Sequence, residues 1–219
     1  MAAILRPSQS QPVGPAASPG RAAPCYDPLL AHARDAGDPL TLAFAAAAAM
    51  ARSSARLVGR PAFGLDGDEY AALLERYFPG AQAAGLTPAG RATLAHPARR
   101  VETDEFDDLV RLLLEYRADD SRECRWLAYA IAACCMGDDH LWQDLGLPNR
   151  QALSDLLARW FPGLFARNTG GMRWKKFFYK QLCERDGAFV CRSPSCAVCV
   201  EYSNCFGPEE EERWQPSRP

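Results

Sequence analysis

The chain has 219 residues and a formal net charge of −2, which suits one domain with tails and lacks the basic footprint of a general nucleic-acid binder. Its longest largely apolar run, Leu40–Ala51, falls well short of the roughly 20 residues that a membrane-spanning helix needs. Hydrophobic residues make up 48%, but alanine inflates that figure, and Ile and Val together number nine against 24 Leu. β-branched side chains stock sheets while Ala and Leu lead the helix scale, so the composition predicts an all-α fold.

Residues 1–35 are rich in Pro, Ala, Ser and Gly and read as a disordered tail that cannot offset its ordering entropy. They lack a continuous apolar stretch followed by a small-residue cleavage site, so no secretory signal is read there and a cytoplasmic location is expected. A helical domain is expected over 36–185. It opens at Asp38-Pro39, a cap residue followed by proline at the first helical position, and its first helix runs to about Val58. A second helix is read over Asp68–Phe78, with Tyr70, Leu73, Leu74 and Tyr77 at helical spacing and a stop at Pro79-Gly80. After a loop-rich stretch, Thr103 is expected to cap a helix with an acidic first turn and an inward stripe of Phe106, Leu109, Val110, Leu113 and Leu114. A further helix is expected over about Ser121–Met136, with Trp126, Leu127, Ala130, Ile131 and Cys134 inward. Asn149 caps the next, which ends at Pro162-Gly163, and the last long helix runs from about Gly171 to Glu184.

The sum is a bundle of about six helices. Within it Leu73–Gly80 resembles Leu156–Gly163, and Gly64-Leu65 parallels Gly146-Leu147, which suggests two related helical hairpins. Residues 186–207 read as a cysteine-rich metal-binding loop, and 208–219 as an acidic flexible tail.

That loop carries the sharpest signal. Cys191, Cys196, Cys199 and Cys205 form C-x4-C-x2-C-x5-C, four thiols in a stretch too short to build a core of its own. Soft sulfur donors select zinc, Cu(I) or iron–sulfur chemistry over hard, oxygen-seeking cations. Structural zinc usually takes its ligands as two pairs separated by a dozen residues or more. The C-x4-C-x2-C core instead matches the loops that wrap clusters in plant-type ferredoxins. Spacing therefore favours an iron–sulfur cluster, while a zinc-stapled interaction module and an iron–sulfur electron carrier remain open. The preceding helix holds all three lysines of the chain, Lys175, Lys176 and Lys180, with Arg173 and Arg185 against the single acid Glu184. Such a field would attract a thiolate-bound cluster or an oxyanion such as molybdate.

The cysteine motif belongs to a wider pattern. Together with His140-Leu-Trp-Gln-Asp-Leu-Gly-Leu147, Phe161-Pro162, Asn168 and Met172-Arg-Trp-Lys-Lys-Phe-Phe-Tyr-Lys-Gln-Leu-Cys-Glu184, it resembles the NifQ family of nitrogen-fixation accessory proteins over about residues 121–207. The resemblance implies an iron–sulfur protein, with a cluster of 4Fe–4S or 3Fe–4S type, that carries molybdenum for assembly of the nitrogenase iron–molybdenum cofactor. It implies Cys191, Cys196, Cys199 and Cys205 as cluster ligands, and delivery of sulfur-ligated molybdenum to the NifEN scaffold with NifH. It also implies a stoichiometric metal donor instead of an enzyme.

Other candidates are weaker. Cys183 stands near the motif as a spare ligand or a packed side chain, and Cys134-Cys135 with His140 offer a second metal site or a buried helix end. Cys124, Cys25, His32 and His96 fall in no ligand pattern, and no hydrolytic, phosphate-binding or dinucleotide motif appears. The motif predicts that Cys196→Ala or Cys199→Ala, purified without oxygen, loses its iron while its far-ultraviolet circular dichroism stays helical. Full iron content in both variants would overturn the ligand assignment.

Overall fold

The computed structural model describes residues 27–57, 59–86, 105–185, 187 and 202–207, and every regular element among them is helical. These are α1 (Asp27–Leu30), α2 (Pro39–Ser53), α3 (Gly67–Tyr77), α4 (Glu105–Glu115), α5 (Arg122–Cys135), α6 (Leu141–Asp144), α7 (Arg150–Trp160), α8 (Pro162–Arg167), α9 (Trp174–Arg185) and α10 (Tyr202–Phe206). Short 3-10 turns at Ala55–Leu57 and Pro61–Gly64 link α2 to α3. None of the described helices is long and apolar enough to cross a membrane.

Two alanine-rich helices form the centre. Asp38 caps α2 through its Oδ2, which accepts the Thr41 N–H at 2.9 Å, and Pro39 takes the first helical position. Ala43 and the run Ala45–Ala49 are all buried, as are Ala128, Ala130, Ala132 and Ala133 of α5. A helix that is apolar nearly all round belongs inside a domain, and short side chains let two such helices approach closely. α2 and α5 accordingly pack against one another, with α1 and the Pro61–Gly64 turn on α2, α4 on α5, and α9 on α4. Phe44 of α2 locks the pair edge-to-face with Tyr77 of α3 at 4.9 Å and with Trp126 of α5 at 6.3 Å.

The sequence echo extends into local geometry. Asp66 and Asn149 cap α3 and α7 in the same way, each side chain accepting a backbone N–H three residues on, and both helices run eleven residues. Each ends on a buried phenylalanine in one conformation: Phe78 at φ −132°, ψ 60° and Phe161 at φ −137°, ψ 57°. Beyond that point the two part company. Pro79-Gly80 leads into turns, whereas Pro162 opens α8. The stop expected at Pro162-Gly163 is thus a new start, because proline fits the first turn of a helix as well as it ends one.

Other boundaries move for equally simple reasons. α2 ends at Ser53, five residues before the expected Val58, and the chain continues as a 3-10 turn. α1 lies inside the stretch read as tail, and its Leu29 is 1% exposed against the core. α6 and α10 are too short for periodicity to reveal, and α10 falls within the expected loop. Thr103 lies outside the described residues, while Phe106, Leu109, Val110 and Leu113 of α4 are buried as read, with Leu112 added and Leu114 at the margin.

Phe44 is fully buried between three helices. Phe44→Ala should lower unfolding free energy by about 3–5 kcal/mol, read from urea titration followed by circular dichroism.

Candidate functional site

Cys191, Cys196 and Cys199 lie outside the described residues, and Cys205 is the motif thiol whose surroundings are defined. It is half-buried in α10, a five-residue helix far below the length at which a helix holds itself together. Three contacts with the segment ahead of α9 supply the difference. The Arg173 backbone N–H donates to the Cys205 carbonyl at 2.8 Å, and the Arg173 Nη1 donates to the Asn204 carbonyl at 3.3 Å. The Phe206 ring lies so close to Gly170 that a Cβ there would stand 3.2 Å from the ring.

The segment that receives α10 is itself tightly built. Asn168 closes it from both sides, its Oδ1 accepting the Met172 N–H and its Nδ2 donating to the Met172 carbonyl, each at 2.8 Å. Arg150, from the first turn of α7, donates to the carbonyls of Gly171 at 2.6 Å and Met172 at 3.2 Å. Gly171 adopts φ +65°, which glycine takes at no steric cost and which keeps α9 from starting before Trp174. Met172 and Trp174 are buried, and Trp174 stacks on the exposed Phe165 of α8 at 6.0 Å.

Beneath this seat lies the best-buried ion pair among the described residues. Lys175 donates to the Asp144 carboxylate and, at 2.8 Å, to the Gly137 carbonyl. Their side chains are only 16% and 4% exposed. The Asp139 N–H donates to the same carboxylate at 3.2 Å. Gly137 leaves the room this requires, since a Cβ there would fall 2.4 Å from Asp144 Oδ2. Asp144, Asn168, Met172, Arg173 and Lys175 come from two separated stretches of sequence, and of these Arg173 bonds to the helix that carries the last cysteine of the motif. The sequence signal that could have found Asp144 is an acid set among Leu141, Trp142, Leu145 and Leu147, which needs a cation once those side chains are buried.

This geometry changes the reading of the basic helix. Lys175 is neutralised inside by Asp144, Lys180 pairs with Glu184, and Arg185 pairs with Glu115 of α4. Lys176 and Lys180 are both exposed on the surface, and the Lys180 and Arg185 pairs are surface pairs. The helix therefore buries one of its lysines and keeps the other two at the surface. The paired thiols of α5 are equally internal: Cys134 and Cys135 are buried. Burial pushes Cys135 up to about 12 and Cys134 well above the ordinary thiol value, so both are neutral hydrophobes. His140 precedes α6, and its N–H donates to Gln143 Oε1 at 3.1 Å. Among the described residues no three Cys, His, Asp or Glu side chains converge as a metal site. Cys124 is buried with its thiol directed at the Trp160 carbonyl, 3.4 Å away, and Cys183 is half-buried on α9. A cavity of about 740 Å³ lies between α2, α3 and α5, and Arg76 and Arg122 on its wall are paired with Glu123 and Glu69.

Comparison with known proteins follows the same lines. The NifQ family model matches residues 41–207. Protein NifQ of Azotobacter vinelandii is 48% identical over 153 residues, which are 67% of this chain and 77% of that protein. Protein NifQ of Rhodobacter capsulatus is 42% identical over 148 residues, 67% of this chain and 76% of its own length. Protein NifQ of Klebsiella pneumoniae is 49% identical over 141 residues, 56% of this chain and 84% of its own. No solved structure matches. The chain belongs to the NifQ family.

Three outcomes follow from the buried groups. Lys175→Met strands the Asp144 carboxylate and should cost about 3–5 kcal/mol in urea unfolding, and Lys175→Met with Asp144→Leu should restore most of it. Iodoacetamide at pH 8 should modify Cys183 and Cys205 of the folded, metal-free protein while sparing Cys124, Cys134 and Cys135 until urea is added. Because the fold holds Cys135 protonated where the unfolded chain releases its proton, stability should fall as pH rises from about 9 toward 12.

Proposed function

We propose that the chain is a molybdenum-carrying iron–sulfur protein that donates molybdenum for assembly of the nitrogenase iron–molybdenum cofactor, and so serves nitrogen fixation. The observation that carries this reading is the four-cysteine motif, inside the NifQ match, with its last member docked on a rigid and separately built platform. Four thiols of one short segment form a soft donor set, the type that iron–sulfur clusters take. Cys191, Cys196, Cys199 and Cys205 are the residues to hold it, and Cys205 is half-buried, neither sealed in the core nor free of it.

Chemistry agrees with a donor. Molybdate is an oxyanion and must exchange oxygen for sulfur before it can enter a metal–sulfur cofactor. A cluster bound in this motif would supply sulfide ligands for the metal. The chain's own part is to hold Cys205 half-buried on α10, apart from the buried thiols of the core. Cys134, Cys135 and Cys124 stay protonated or packed and so do not compete for the metal. The NifEN scaffold and NifH are the proposed recipients, in the cytoplasm, with one metal transferred per protein and no turnover.

Anaerobic purification followed by quantification of iron, sulfide and molybdenum, with electron paramagnetic resonance, tests the reading. Brown protein with all three elements supports it, provided that the molybdenum leaves on mixing with apo-scaffold. One zinc per chain and no sulfide would replace the donor by a zinc-stapled module, and a cluster that cycles without molybdenum exchange would make it an electron carrier.

A further inference from the structure

The fold leaves the two ends of the cysteine motif on different footings. Arg185 and Gly187 lead into it from the C-terminal end of α9, while Cys205 is held at the N-terminal end of the same helix, about 18 Å away for twelve residues. The N-terminal end is immobilised from three directions. Lys175 ties it inward to Asp144 and Gly137, Arg150 and Asn168 fix the backbone of Gly171 and Met172, and Trp174 packs between Phe165 and Phe178. Arg173 is the residue that passes this rigidity on. Its N–H and its guanidinium both donate to α10, to the carbonyls of Cys205 and of its neighbour Asn204.

We infer that Arg173 is a positioning residue for Cys205: it fixes the backbone of the last motif ligand before any metal is bound, so that the cluster closes onto a preset thiol. The inference rests on the iron–sulfur reading above. A helix of five residues with no partner would fray, and the entropy of ordering it would then be charged against metal binding. With α10 already docked, that cost is met by the protein fold. Groups that orient a metal ligand without touching the metal typically change affinity by about 10–100-fold when removed.

The same logic explains two glycines. Gly170 admits the Phe206 ring, and Gly171 turns the chain so that the Arg173 N–H faces α10 instead of continuing the helix backward. A side chain at 170 should therefore act like loss of Arg173, because it would push on the Phe206 ring next to Cys205.

The test uses full-length protein reconstituted anaerobically with iron and sulfide, comparing parent, Arg173→Ala, Arg173→Lys, Gly170→Val and Cys205→Ala. The readouts are iron per chain, the rate at which a ferrous chelator strips the iron, and the electron paramagnetic resonance line shape. Arg173→Ala and Gly170→Val should load iron but release it about tenfold faster, with an altered line shape and an unchanged melting temperature, and Arg173→Lys should recover part of the loss. Chelation rates and line shapes equal to the parent's in both variants would overturn the positioning role, even with Cys205→Ala losing iron. If Cys205→Ala instead binds and keeps iron as the parent does, the ligand assignment itself fails and the inference falls with it. Should Arg173→Ala melt early, Arg173→Lys and Gly170→Val carry the same comparison.

Discussion

A lysine and an aspartate, both drawn out of water, hold the last helices of this molecule in register with its core. The Lys175–Asp144 pair joins the first turn of α9 to the α5–α6 junction, and almost everything that shapes the end of the cysteine motif is built on that turn. Two charges removed from solvent repay their desolvation only when their remaining hydrogen-bonding capacity is filled. Here the Gly137 carbonyl and the Asp139 N–H do that, and Gly137 makes the space. A pair of this kind contributes little net stability over an apolar substitute, but it tolerates only one arrangement of its neighbours. It defines where α9 begins.

The rest of the fold serves to keep that junction still. α2 and α5 are buried nearly all round by alanine, which gives a dense centre without long side chains to rearrange. Tyr77, Phe44 and Trp126 then pin α3 to this centre. At the other end of α5 come the neutral thiols of Cys134 and Cys135, the helix end at Met136, and the Gly137 that faces Asp144. The path from core to motif is thus short, passing from α5 through one ion pair to α9 and one arginine to α10.

Much of this was legible in the sequence, and the failures have causes. Asp38 and Asn149 announced their helices because a side-chain oxygen before an apolar period has few other uses, and each accepts the backbone N–H expected of a cap. The apolar stripe of α5 is buried throughout and that of α4 is buried except at Leu114, because burial follows periodicity. What could not be read was partnership across distance. Lys175 looked like part of a solvent-facing basic field, since nothing local says that Asp144, thirty-one residues away, will meet it. Arg173 looked like one more cation of that field, yet its backbone and side chain are both occupied by a segment beyond the cysteines. Short helices such as α6 and α10 carry too few residues for a period, and Pro162 is ambiguous between ending one helix and starting another.

The division of the thiols carries a consequence for damage. Oxidation proceeds from thiolates that reagents can reach. Three cysteines of the helical domain are buried, and burial raises the pKa of each thiol. Among the described thiols, sulfenic acids and mixed disulfides should therefore collect on the half-buried Cys183 and Cys205, where reducing partners can reverse them without unfolding the chain. Oxidative damage would in this way stay repairable, with the helical architecture intact.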